Sequence, residues 1–156
     1  MGQQQLLLVI LVTILVGIAT VVAINVFGSA AEQANRDAVR QDLIQASAAV
    51  QAIWARPIAL GGVGGDLAAD PPSDVAFNRL LGLPGTFDGI TIENENALYS
   101  VARISDQVTI TATPTTYQPT IVIRVQRNPS TAEDADAWIV ELTDGALDPV
   151  FLSGGP

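Results

Sequence analysis

Residues 6–27 read Leu-Leu-Leu-Val-Ile-Leu-Val-Thr-Ile-Leu-Val-Gly-Ile-Ala-Thr-Val-Val-Ala-Ile-Asn-Val-Phe, twenty-two residues whose only polar members are Thr13, Thr20 and Asn25. As an α-helix rising about 1.5 Å per residue this run is roughly 33 Å long, the thickness of a bilayer core. Thr13 and Thr20 can return their hydroxyls to the preceding turn, so neither is costly in lipid. No Asp, Glu, Lys or Arg occurs between Met1 and Ala31. The preceding Met1-Gly2-Gln3-Gln4-Gln5 also lacks a basic residue, and the apolar run exceeds the roughly 7–15 residues of a cleaved secretory signal. The nearest basic residue is Arg36, so flanking charge sets no orientation in a membrane.

Beyond residue 28 the helical pattern continues but turns amphipathic. Ala31, Ala34, Ala38, Val39, Leu43, Ala46, Val50, Ile53 and Trp54 recur at helical spacing, while Glu32, Arg36, Asp37, Arg40 and Asp42 take other faces. Alanine, the best helix former, dominates this half. Arg56 precedes Pro57, which disfavours helical geometry at Arg56 and stops the helix. One helix of about fifty residues, roughly 75 Å, is expected, with Gly17 and Gly28 as the positions where it can stretch or bend. Such a helix cannot bury both halves against a domain of some hundred residues. Leu6, Leu7, Val9, Ile10, Ile14, Leu15, Gly17, Ile18, Val21, Val22, Ile24 and Phe27 are therefore expected to pack on lipid or on copies of the same helix. Val39, Leu43, Val50, Ile53 and Trp54 are expected to pack on the rest of the chain.

Charge narrows the function. The 156 residues hold 16 acidic side chains against 7 basic ones, for a net charge of −9. Before Pro57, Glu32, Asp37 and Asp42 balance Arg36, Arg40 and Arg56, so the whole excess falls on residues 57–156. An acidic surface repels phosphate backbones, which argues against nucleic-acid binding. Cys and His are absent, removing disulfides, thiolate metal sites and the usual general base. No catalytic residue, cofactor or metal is expected. Asp66, Asp70 and Asp74, and separately Glu133, Asp134 and Asp136, suit no metal but calcium, and neither group follows the helix-loop-helix calcium pattern.

Residues 57–88 are rich in glycine and proline. The cluster Gly61-Gly62-Val63-Gly64-Gly65 lacks the Lys-Ser/Thr pair of a phosphate loop, so a flexible exit from the helix is expected. Ser73 or Asp74 can cap a short helix through Phe77, Leu80 and Leu81. Strands are expected at residues 89–93, 97–104, 108–113, 120–126 and 137–142, with Leu98, Val101, Ile110, Ile121, Ile123, Trp138 and Val140 on the buried face. Four organisational segments result: a membrane or core helix at 1–28, its amphipathic continuation at 29–56, a Gly/Pro-rich loop with a short helix at 57–88, and an antiparallel sheet at 89–156. The fold class is α+β, a long N-terminal helix packed on an antiparallel sheet. Residues 109–120 are threonine-rich and exposed on one face, open to O-glycosylation, and no Asn-x-Ser/Thr acceptor occurs.

Over residues 1–56 the chain resembles the type IV filament superfamily of bacterial type IV pilins, pseudopilins and archaeal pilins. The resemblance implies a pilin-like fold and a leader removed after Gly by a prepilin peptidase, and Gly2 followed by Gln3, Gln4, Gln5 and Leu6 looks like that junction. If Met1 is the mature terminus, Gln5 stands where many bacterial pilins carry a glutamate. If cleavage follows Gly2, the mature chain begins at Gln3. No carboxylate precedes Glu32, so the ion pair of bacterial pilins has no counterpart. The helix also lacks their proline, which is closer to the archaeal type. The implied partners are copies of the chain itself, the membrane before assembly, and the peptidase and assembly machinery. The implied location is the cytoplasmic membrane and then an extracellular filament for adhesion, surface contact or motility. A pseudopilin or minor pilin of a secretion system, and a single-pass anchored binding domain, are the alternatives.

Overall fold

The computed structural model describes residues 2–116, 119–128, 138–145 and 150–153, and the chain divides into two compact units, residues 1–34 and 35–156. Helix α1 spans Gly2–Ala55 and stays helical through Gly17 and Gly28. Its end agrees with the expected stop before Pro57. In the first unit every described residue is exposed.

In the second unit, α1 buries Val39, Leu43, Ala46, Ser47, Val50 and Ile53, a stripe with helical spacing. The rest is a 3-10 turn at Ile58–Leu60, a short helix α2 at Asp74–Leu80 and seven strands: β1 Thr86–Phe87, β2 Thr91–Glu93, β3 Ala97–Ile104, β4 Gln107–Pro114, β5 Ile121–Arg127, β6 Trp138–Asp144 and β7 Val150–Ser153. They form one sheet in sequential order, each pair antiparallel. The fold is α+β, as the change from helical to alternating periodicity indicates.

The inner face of the sheet and the α1 stripe share one hydrophobic core with Leu67, Phe77 and Leu81. Three expectations are corrected here. Leu98 is 40% exposed, whereas Ala97 and Tyr99 are fully buried. Tyr99 lies opposite Ala112, and Val101 opposite Ile110, so odd-numbered residues of β3 face the core and Leu98 faces out. The sheet also has two more strands than the five expected, because β1 is two residues long and β7 shows no alternation to read. Trp54 and Trp138 are half-buried at the margin of the core rather than inside it. The expected start of the last central strand at Ala137 lies outside the described residues.

The glycine cluster is folded, not a loose exit. The Val63 N–H donates to the Ile53 carbonyl at 3.2 Å and the Gly64 N–H to the Arg56 carbonyl at 3.0 Å, satisfying carbonyls that a helix end leaves open. A Cβ on Gly62 would overlap the Arg56 carbonyl oxygen, so only glycine fits. Ser73 caps α2 by accepting from the Ala76 N–H.

Candidate self-assembly helix

The residues assigned from sequence to membrane or filament packing all lie on the described part of α1 and all are exposed. Among its large side chains from Leu6 to Phe27, exposure is lowest at Val12 (48%) and highest at Phe27 (74%). Gly17 has nothing within 4 Å of a hypothetical Cβ. The helix is long and apolar enough to cross a membrane. Its hydroxyls are satisfied internally: Thr13 donates to the Val9 carbonyl at 2.7 Å, Thr20 to Val16 at 2.8 Å and Ser29 to Val26 at 3.0 Å. Gly2, Gln3, Gln4 and Gln5 form the first turn, all exposed. Met1, part of the processing motif, lies outside the described residues.

The residues assigned to packing on the rest of the chain are brought together. Val39, Leu43, Val50 and Ile53 are buried by 97% or more, and the Trp54 ring meets Trp138 edge-on at 5.5 Å. Arg127 lies over both rings, 4.2 Å from the Trp54 centroid and 5.7 Å from that of Trp138. Ala31 and Ala34 of the expected amphipathic stripe are exposed, so burial starts later than the pattern suggested.

Polar anchors between α1 and the sheet escaped the sequence reading. Arg36 Nε and Arg40 Nη2 both donate to Asp144 Oδ2, the latter at 2.5 Å, and Asp144 is 5% exposed. No sequence signal links Asp144 to arginines a hundred residues earlier. Asp42 accepts from the Tyr99 hydroxyl at 2.7 Å and from Asn94 Nδ2 at 3.3 Å. Here a signal existed: Asp42, assigned from sequence to another face, stands three residues after Val39 and four before Ala46, at the edge of the buried stripe, where an acid needs a partner. Burial of the Tyr99 phenol, then its bond to Asp42, push the tyrosine pKa well above the ordinary range. The Asn35 amide donates to the Asn96 carbonyl at 3.2 Å.

Of the acidic groups weighed for calcium, Asp66 accepts from the Ala68 N–H and Asp74 pairs with Arg103. Among the described residues no set of three or more acidic side chains is placed to hold a metal. Glu133, Asp134 and Asp136 lie outside them. A shallow hollow of about 390 Å³ beside the glycine cluster is lined by Trp54, Ala55, Pro57, Gly64 and Gly65, with no titratable side chain. Backbone N–H groups of Thr91 and Ile90 hold the Asp88 carboxyl below its usual range in a local turn.

No protein-family model, curated protein or solved structure matches this chain. The fold and the bare helix are therefore what the chain offers to a functional reading.

Proposed function

We propose that this chain is a structural, pilin-like subunit that a membrane holds by α1 and that polymerises through the same helix into an extracellular filament for adhesion, surface contact or motility. The observation that carries the reading is the helix itself, uncharged from Gly2 to Ala31 and exposed along its entire apolar run. Large apolar surface of this kind does not stay in water. Packing it against copies of itself contributes on the order of tens of kcal/mol per subunit before entropic costs, at about 25 cal/mol per Å². The resemblance of residues 1–56 to the type IV filament superfamily supports the same reading, as does a sheet backed by the second half of the helix. Within this reading, Gly2 and Gln3 mark processing by a prepilin peptidase.

The test is electron microscopy and mass spectrometry of material sheared from cells. A filament subunit is recovered in fibres, with a mature terminus at Met1 or Gln3. Retention of the chain in the membrane fraction, with none in fibres, would instead make it an anchored binding domain. Short polymers at low copy number would make it a pseudopilin.

A further inference from the structure

The apolar part of α1 is not chemically uniform once its hydrogen bonds are counted. Thr13, Thr20 and Ser29 each spend their hydroxyl hydrogen on a carbonyl of the preceding turn. Among the described residues of the first unit before Ser29, the remaining polar side chains are Gln3, Gln4, Gln5 and Asn25, all carboxamides and all exposed, and no hydrogen bond is made by any of them. They stand at the two ends of the apolar run, 20 to 22 residues apart, or about 30–33 Å along the axis.

That separation equals the thickness of a hydrocarbon core. In a membrane both sets reach the hydrated interfaces, and the anchor leaves no amide dry. In a packed polymer the same amides lose water, and an unpaired buried carboxamide is costly. A carboxamide offers both donors and an acceptor, so Asn and Gln satisfy one another. An amide pair where the apolar run of one copy ends and that of the next begins also fixes the axial offset, because sliding by a turn unpairs it.

Resting on the reading of the chain as a filament subunit, we propose that Asn25 of one copy hydrogen-bonds the Gln3–Gln5 cluster of a second copy. The two helices are then parallel and offset by about 30–33 Å along the axis. Parallel packing results from insertion in one membrane by the same end. An antiparallel pair also joins these amides but closes as a dimer, and in-register packing sets Asn25 against Asn25.

The chain has no cysteine, so introduced thiols report cleanly. Asn25→Cys is combined with Gln3→Cys, Gln4→Cys or Gln5→Cys in the full chain, and sheared filaments are treated with a short bifunctional thiol reagent. Staggered packing gives a ladder of covalent multimers from at least one double variant and nothing above background from any single variant. Closed dimers alone, cross-links from Asn25→Cys by itself, or no cross-link in filaments that do form would each overturn the proposal. If the double variants do not assemble, the wild-type filament is read directly by cryo-electron microscopy. An Asn25 amide facing only apolar side chains of its neighbours is the overturning result there. Wild-type cells that yield no filament reject the functional reading itself, an outcome distinct from all of these.

Discussion

Tyr99 on β3 donates its hydroxyl to Asp42 on α1 at 2.7 Å, beneath a phenol ring with no exposed surface. The bond joins the helix to the sheet within the second unit, and Asn94 completes it through its amide to Asp42. Removing the hydroxyl with Tyr99→Phe leaves a carboxylate short of one strong donor. The variant is expected to lose about 1–3 kcal/mol of unfolding free energy, measured by denaturant titration of detergent-solubilised chain with Trp54 and Trp138 fluorescence. The raised pKa of Tyr99 adds a pH signature. Its protonated form is favoured in the folded state, so this contribution is present below the unfolded value near pH 10 and lost as pH rises beyond it. Tyr99→Phe is expected to remove that part of the alkaline destabilisation.

Asp144 is the shared acceptor of Arg36 and Arg40. Asp144→Ala removes the carboxylate that two cations share, although Arg40 keeps Asp37 at 3.8 Å, and a broken buried pair typically costs about 3–5 kcal/mol. The arginine side chains keep 28% and 34% exposure and regain some water, which places the expected loss near the low end, about 3 kcal/mol. Either arginine alone can still neutralise Asp144, so Arg36→Ala and Arg40→Ala are each expected to cost less. The same denaturant titration ranks the three.

Neighbouring glycines differ in what they tolerate. Gly61 has a left-handed φ of 78° with open space around a Cβ, whereas a Cβ on Gly62 overlaps the Arg56 carbonyl oxygen. Gly61→Ala is expected to cost about 1–2 kcal/mol, the penalty of a left-handed non-glycine residue. Gly62→Ala must displace the loop from the end of α1 and is expected to cost more. Thermal unfolding followed by circular dichroism separates the two.

The N-terminal-most residue of the hydrophobic core is Val39. A chain lacking residues 2–27 is therefore expected to be soluble without detergent and to keep the Tyr99 and Asp144 effects at full size. Loss of cooperative unfolding in that chain would show that the core depends on the apolar run. Ile18→Asp in the full chain, by contrast, is expected to reduce membrane insertion by about 2.5–3.5 kcal/mol without altering the unfolding midpoint, as read by membrane fractionation beside the denaturant curve.

Much of this is legible in the sequence alone. Residues 6–27 declare a helix unsuited to water, the stripe of Val39, Leu43, Val50 and Ile53 declares a buried face, and the alternation in residues 108–111 and 121–125 declares strands, because each pattern repeats with the period of its element. The free amides of Gln3, Gln4, Gln5 and Asn25 were visible as residues. That they are free, while Thr13 and Thr20 are not, needed geometry.

What the sequence determined by itself is the uncharged helix, its length, its stop before Pro57, and the acidic charge and antiparallel strands of residues 57–156. All are local properties, set by side-chain polarity and backbone period within a few turns. Only the tertiary structure decided which way β3 faces, that the glycine cluster caps α1, and that Asp42 and Asp144 serve Tyr99, Arg36 and Arg40. Those depend on strand register and on pairs of residues 57 to 108 positions apart, and a one-residue slip in register, which reverses every side chain on a strand, leaves the sequence pattern unchanged.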